Sequence, residues 1–279
     1  MQELIQYFAT ISDDARGIIL VSGLTIFLLL ETRIPLFRFQ YGKTKHAFLN
    51  IFFNLTTMIV NLSGAFLIYK AANYNSANSS GLLNSVAMPL WLYVILGLLL
   101  MDLMGSWLIH YIQHHVKWMW KFHLIHHTDP YVDVTSGLRH HPGESVFRLI
   151  FTILAVVVTG VPFGVVMLYQ TLSAFFGHMT HANIQMPEKI DKIIGLVLIT
   201  PHFHKVHHHY VQPYTDSNYG NIFSFWDHLF RTSRRIDNLE DITYGIDTHM
   251  EPEEKSNLKN LLLIPFQSYR PPAGSKFSG

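Results

Sequence analysis

Fifteen of the 18 histidines in this chain fall between His110 and His209, and they repeat a spacing. His110 and His114 stand four apart at the end of an apolar run. His123, His126 and His127 follow, and the same H-x2-H-H pattern returns as His204, His207 and His208. Between them lie His178 and His181. Residues three or four apart on a helix share a face, so each group aims at least two rings in one direction. Any one of these rings alone reads as a surface histidine at a membrane edge. Independent surface rings, however, have no reason to repeat a spacing.

The rest of the chain is apolar. Hydrophobic residues make up 49% and charged residues 14%, with mean hydropathy +0.21. Soluble domains carry about a quarter charged residues, so the composition points to the membrane. The net charge of +1 offers no basic field for nucleic acid. The absence of cysteine removes disulfides, thiolate zinc sites and cysteine nucleophiles. Asp13 and Asp14 sit where a signal peptide needs positive charge, so no cleavable leader is expected.

Apolar runs predict an all-α, multi-pass bundle of about four spans in one domain, residues 1–279. The spans fall near 15–30, 47–69 and 88–109, with a helical hairpin over 146–180 broken at Gly160 to Gly164. Residues 73–85, rich in Asn and Ser, read as an exposed loop. The patch Ile193 to Ile199 suits the interface. Arg33, Arg38, Lys43 and Lys45 follow the first span, whereas only Lys70 follows the second. The positive-inside rule then puts the first loop in the cytosol. It also delivers a histidine-rich helical cap, residues 110–145 and 178–235, to the same face.

Clustered imidazoles suit metal, since the neutral ring is the commonest protein metal ligand. Eight to ten rings exceed what one ion holds, because zinc takes about four ligands and octahedral metals about six. Two ions sharing the cluster is the economical account. His115, His140, His202 and His209 adjoin the motifs out of phase and are expected to face solvent or support ligand rings. His46, His228 and His249 stand alone. Asp102, an acid late in the third span, either orients a ligand ring and its neighbours or bonds between helices. Asp216, Asn218 and Asp227 are further supporting candidates, with turn formation as the competing role. Trp118 and Trp120 read as interfacial anchors.

At these residues the chain resembles the fatty acid hydroxylase/sterol desaturase superfamily of integral membrane di-iron enzymes. The likeness covers Asp102 to Thr232 and rests on the three histidine boxes. Flanking text matches as well: Arg139-His140-His141-Pro142-Gly143-Glu144 resembles R-x-H-P-x-E, and His181-Ala182-Asn183-Ile184 resembles H-x-N-I. Thr200-Pro201, Asn218-Tyr219-Gly220 and Trp226 to Phe230 fit the family's later segments. The resemblance implies two iron ions, O2 as co-substrate and a C–H bond of a membrane lipid (sterol, fatty acyl or alkyl lipid), with hydroxylation ahead of desaturation. Carried over residue by residue, it implies ligation by His110, His114, His123, His126, His127, His181, His204, His207 and His208. His178 joins them, although H-x2-H stands where relatives have H-x3-H, and His141 is a supporting ring. His141-Pro142-Gly143 also echoes a cytochrome b5 haem loop, but Glu144 replaces the next glycine. Electrons are therefore expected from a separate donor such as ferredoxin, cytochrome b5 or a similar carrier.

A metal-binding or transport protein without redox chemistry is the alternative, but transport wants ligands along the spans. A zinc hydrolase lacks H-E-x-x-H here, and a bis-histidine haem leaves the triplets without a use. The end Ser275 to Gly279 carries no retention signal, which favours a bacterial inner membrane over the endoplasmic reticulum.

Overall fold

The computed structural model describes residues 1–277, and among them the chain is all-α, with only isolated bridges between extended segments. Ser278 and Gly279, part of the terminal stretch read for a retention signal, lie outside the described residues. A short helix α1 (Gln2–Thr10) precedes α2 (Asp13–Arg33). Ser12 caps α2 by accepting from the Ala15 N–H at 3.2 Å, and Asp13 and Asp14 complement the positive helix end. Next comes α3 (Lys43–Asn78), whose 36 residues extend about 54 Å, well beyond a hydrocarbon core of about 30 Å. The Asn- and Ser-rich stretch expected as loop is therefore helical up to Asn78. Its Asn75 is buried and donates to the Val156 carbonyl at 2.8 Å, a polar tie that the composition alone misreads.

The third membrane segment is continuous from α4 (Leu90–Asp102) through a π turn at Leu103–Leu108 into α5 (Ile109–His115). Then come α6 (Lys117–His127), a 3-10 turn at Val134–Leu138, and the hairpin α7 (Pro142–Thr159) and α8 (Phe163–His181). Gly160 closes the hairpin at φ +83, where a side chain would be strained. A Cβ there would also lie 2.4 Å from the Ser80 carbonyl, so the hairpin tip rests on the α3–α4 connection. The hairpin thus runs the depth of the bundle. By length and composition, four helical segments can cross a membrane: Asp13–Arg33, Lys43–Ser85, Leu90–His115 and Pro142–Thr159. The second hairpin arm, with Gln170, His178 and His181, is more polar.

The remaining helices are short: α9 (Glu188–Ile194), α10 (Pro201–His207), α11 (Phe225–Leu229), α12 (Pro252–Ser256) and α13 (Leu258–Leu263). The cap does not stop at residue 235, because Leu261 and Ile264 pack with Trp120, Leu124 and Ile125. Trp120 accordingly is buried rather than an interfacial anchor, while Trp118 is 57% exposed. Buried Arg139 clamps this layer, donating to the carbonyls of Ile125 at 3.0 Å and Lys255 at 2.7 Å.

Polar contacts tie α2 and α3 to the cap. The Glu31 carboxylate accepts from the N–H groups of Val134 (3.0 Å) and Asn183 (3.2 Å). His46, read from sequence as standing alone, is instead half-buried 2.8 Å from Asp129, with Asp133 also in reach at 3.3 Å. The basic loop between α2 and α3 therefore sits at the histidine end of the bundle. At the opposite end α1 meets α8, where a Cβ on Gly164 would lie 2.1 Å from the Ile5 carbonyl.

Candidate metal centre

Nine histidines converge inside the cap, and they divide into two nests. His110, His114, His123, His127 and His207 form one; His126, His181, His204 and His208 form the other. Within each nest one ring nitrogen per residue lies within 4.8 Å of all the others, and every ring is buried. Sequence spacing explains the division. His126 and His127 are neighbours on α6, about 100° apart, so one faces each nest. His207 and His208, neighbours at the end of α10, split in the same way.

The tautomers of the first nest follow from what each Nδ1 meets. His110 Nδ1 lies 2.8 Å from the Tyr219 carbonyl and His207 Nδ1 2.6 Å from the Ser217 carbonyl. His123 Nδ1 contacts Glu144 at 2.9 Å and His114 Nδ1 contacts Asp216 at 3.1 Å. Carbonyls and carboxylates only accept, so in all four rings Nδ1 carries the hydrogen and Nε2 is left as a bare lone pair. Yet His110 Nε2 and His123 Nε2 face each other at 3.0 Å, and Nε2 of His114 and of His207 has no hydrogen-bond partner.

The second nest repeats the theme. His181 Nδ1 donates to the Gly177 carbonyl at 2.8 Å, which leaves its Nε2 bare at 3.1 Å from His126 Nε2 and 3.0 Å from His204 Nε2. Burial and mutual repulsion hold the imidazoles of His126, His127, His204 and His208 well below their ordinary range, and bring His207 down to about 3. The rings are therefore neutral, the form that binds metal. Converging lone pairs with no proton between them repel unless a cation sits among them. The donor sets suit two ions with nitrogen ligands, one for each nest.

The supporting residues act through these contacts. Glu144, fully buried, accepts from His123, from His140 at 3.0 Å and from Arg148 at 2.8 Å. The sequence displayed it in the R-x-H-P-x-E match without marking it as a site residue. Asp227 accepts from the Trp107 indole at 3.0 Å and from the Tyr219 and Gly220 N–H groups, both at 2.9 Å. It thereby fixes the peptide whose carbonyl orients His110. Burial pushes its carboxyl above the usual range, against those hydrogen bonds. Asn218, at φ +53, ties the same loop to the Phe203 and Arg234 carbonyls. Lys205, buried with its ammonium pushed down to about 7 by desolvation, donates to the His181 carbonyl at 2.9 Å and binds α8 to α10.

Three residues are placed away from the converging rings. Asp102 accepts from the N–H groups of Ile222 and Phe223, both at 3.3 Å, so it holds the 220s loop to the third span rather than touching a histidine. His141 caps α7, accepting from the Gly143 N–H at 2.9 Å, and its other nitrogen meets the Leu262 carbonyl. Its influence on the site runs through the position of α7, which carries Glu144. His178 belongs to neither nest. It lies about 60° around α8 from His181, where its ring faces Gly23 of α2. Of the out-of-phase rings, His140 stacks on His126 at 4.7 Å, and His115 is exposed.

Comparison with known proteins agrees with this geometry. A family model described as fatty acid hydroxylase matches residues 94–232, which takes in all nine rings. The ornithine lipid hydroxylase OlsE of Rhizobium tropici is 28% identical over 144 residues, 52% of this chain and 42% of its own length. Alkylglycerol monooxygenase of Caenorhabditis elegans is 26% identical over 138 residues, 49% of this chain and 26% of its own. The human alkylglycerol monooxygenase is 28% identical over 146 residues, 52% and 31% respectively. The match thus spans less than half the length of each of these relatives. No solved structure matches the chain.

Proposed function

The chain belongs to the fatty acid hydroxylase family, and from that premise we propose that it is an O2-dependent di-iron enzyme that hydroxylates a C–H bond of a membrane lipid. The observation that carries this reading is the pair of nests, five and four buried rings whose bare nitrogens converge. When bound, two irons supply the activation of O2 against an unactivated C–H bond. His110, His114, His123, His127 and His207 would hold one ion, and His126, His181, His204 and His208 the other.

The chain's own groups do the rest. The Tyr219, Ser217 and Gly177 carbonyls, with Glu144 and Asp216, keep hydrogen on Nδ1 and lone pairs on Nε2. Burial excludes water, which protects a reactive oxidant from side reactions. Similarity to lipid hydroxylases favours hydroxylation over desaturation. Ornithine-type and alkyl lipids join fatty acyl and sterol lipids as the substrates to test. Electrons would come from a separate carrier, a ferredoxin or cytochrome b5 type. The basic loop at the cap end supports a cytosolic site, in a bacterial inner membrane by preference.

The test is lipid mass spectrometry of cells with and without the gene, beside His126→Ala and His207→Ala forms. We expect a lipid heavier by one oxygen only with the intact protein. A metal-loaded protein that leaves every lipid unchanged, whatever reductant is supplied, would refute the reading.

A further inference from the structure

A cleft of about 340 Å³ opens between α2 and α3 at the cap end, lined by Leu28, Leu29 and Ala47 and by Thr32, Thr44 and Thr135, with Lys43 and Asp133 completing it. Each of its walls leans on a different partner. Phe27 of α2 meets Phe175 of α8 at 5.3 Å, while Gly64 of α3 admits Leu149 of α7 so closely that a Cβ would lie 2.3 Å from it. The Lys43–Glu31 ion pair, at 3.1 Å, joins the two helices at this end.

The mouth continues the apolar belt of the bundle. Leu29 is 61% exposed, with Ile26 beside it on α2 and Ile51 on α3. The lining grades from aliphatic side chains to hydroxyls and charges, as the bilayer does between its chains and its headgroups. The roof is the 134–138 turn, and its far side touches the four-ring nest. A Cβ on Gly137 would lie 2.9 Å from both His181 Nδ1 and the Gly177 carbonyl. One turn of backbone therefore separates the cleft from a ligand ring.

We propose that this cleft seats the polar end and first methylenes of a bilayer lipid, the substrate of the reaction proposed above, on whose reading it rests. The volume is at the small end for a ligand site, so it fits a head and a short stretch of chain and leaves the tail in the membrane. The occupant comes from the bilayer rather than from a water-soluble carrier, because the mouth lies in the apolar belt.

The chain has no cysteine, so Ala47→Cys in the cleft and Phe48→Cys on the outer face of the same turn can be labelled cleanly. Both are placed in nanodiscs made from the lipid extract of cells lacking the gene, and labelled with a bulky maleimide. We expect the label at position 47 to cut oxygen gain in the lipids by about tenfold or more, and the label at 48 to leave it within about twofold. Metal content should be the same in both. In a second measurement bimane replaces the maleimide, and phosphatidylcholine brominated near the top of its chains is added. We expect bimane at 47 to be quenched about as strongly as at 48.

Full turnover with position 47 blocked, or bimane there that brominated lipid fails to reach, overturns the cleft. A parent protein that oxidises no lipid overturns the proposed function instead, and the quenching then decides the cleft by itself.

Discussion

The Nε2 atoms of His110 and His123 face each other at 3.0 Å, although each ring spends its hydrogen on the other side, on the Tyr219 carbonyl and on Glu144. Two acceptors in van der Waals contact repel, and the buried cap offers no solvent to separate them. A cation between the lone pairs would relieve that repulsion, which would link metal binding to folding of the cap.

Each nest should lose its own ion. We expect His204→Ala to lower metal content by roughly half, emptying the four-ring nest, and His207→Ala to empty the five-ring nest. Elemental analysis of the purified variants checks this. Loss of both ions from either variant would mean that the nests do not bind separately.

Glu144→Gln keeps the shape of the side chain but removes the charge that His123, His140 and Arg148 share. Losing such a support weakens metal affinity by about 10- to 100-fold. Competition with a chelator reads the shift, and Glu144→Asp should recover part of it. An unchanged affinity would make Glu144 a purely structural residue.

Gly137→Ala introduces a Cβ 2.9 Å from the Gly177 carbonyl and from His181 Nδ1. Backbone cannot yield as a flexible side chain does, so the 134–138 turn must move off α8. We expect selective loss of metal from the four-ring nest and a stability loss of about 1–3 kcal/mol. Thermal unfolding beside metal analysis separates the two effects.

Stability of the metal-free protein should fall with acid. Burial depresses His126, His127, His204, His207 and His208 in the folded state, His207 to about 3, against an ordinary value of 6.5. Below pH 6.5 the unfolded chain binds protons that the folded chain refuses, so stability is complete above that pH and declines beneath it. We expect the unfolding temperature in chelator to drop between about pH 6.5 and 5, and bound metal to resist the drop. A flat profile would show that the rings are already charged or solvated when folded.

Asp227→Asn should weaken a buried hub. One amide oxygen cannot replace a carboxylate that accepts from Trp107, the Tyr219 and Gly220 N–H groups and Thr232. A loss of about 2 kcal/mol or more is expected in thermal unfolding. Because Tyr219 orients His110, metal affinity should fall with it.

Much of this molecule was legible in one dimension. Continuous apolar runs marked the membrane segments because a lipid-facing helix must be apolar along its length. The two His-x-x-His-His boxes and the His110/His114 pair marked eight of the nine converging rings because a fixed helical period ties spacing to direction, and His181 came with the family resemblance. Asn75 and His46 were misread because a polar side chain in a loop and one buried on a partner look identical in sequence. Their partners, Val156 and Asp129, lie 81 and 83 positions away.

The chain's own order of residues marked the side chains suited to converge as ligands, since ligand type and helical phase are local properties. Only the folded form decided how nine rings divide into five and four, that His178 turns toward α2, and that the Gly177, Ser217 and Tyr219 carbonyls set the tautomers. Every residue carries a carbonyl, so no letter in the sequence singles one out. Its direction is fixed by the packing of segments that meet only in three dimensions.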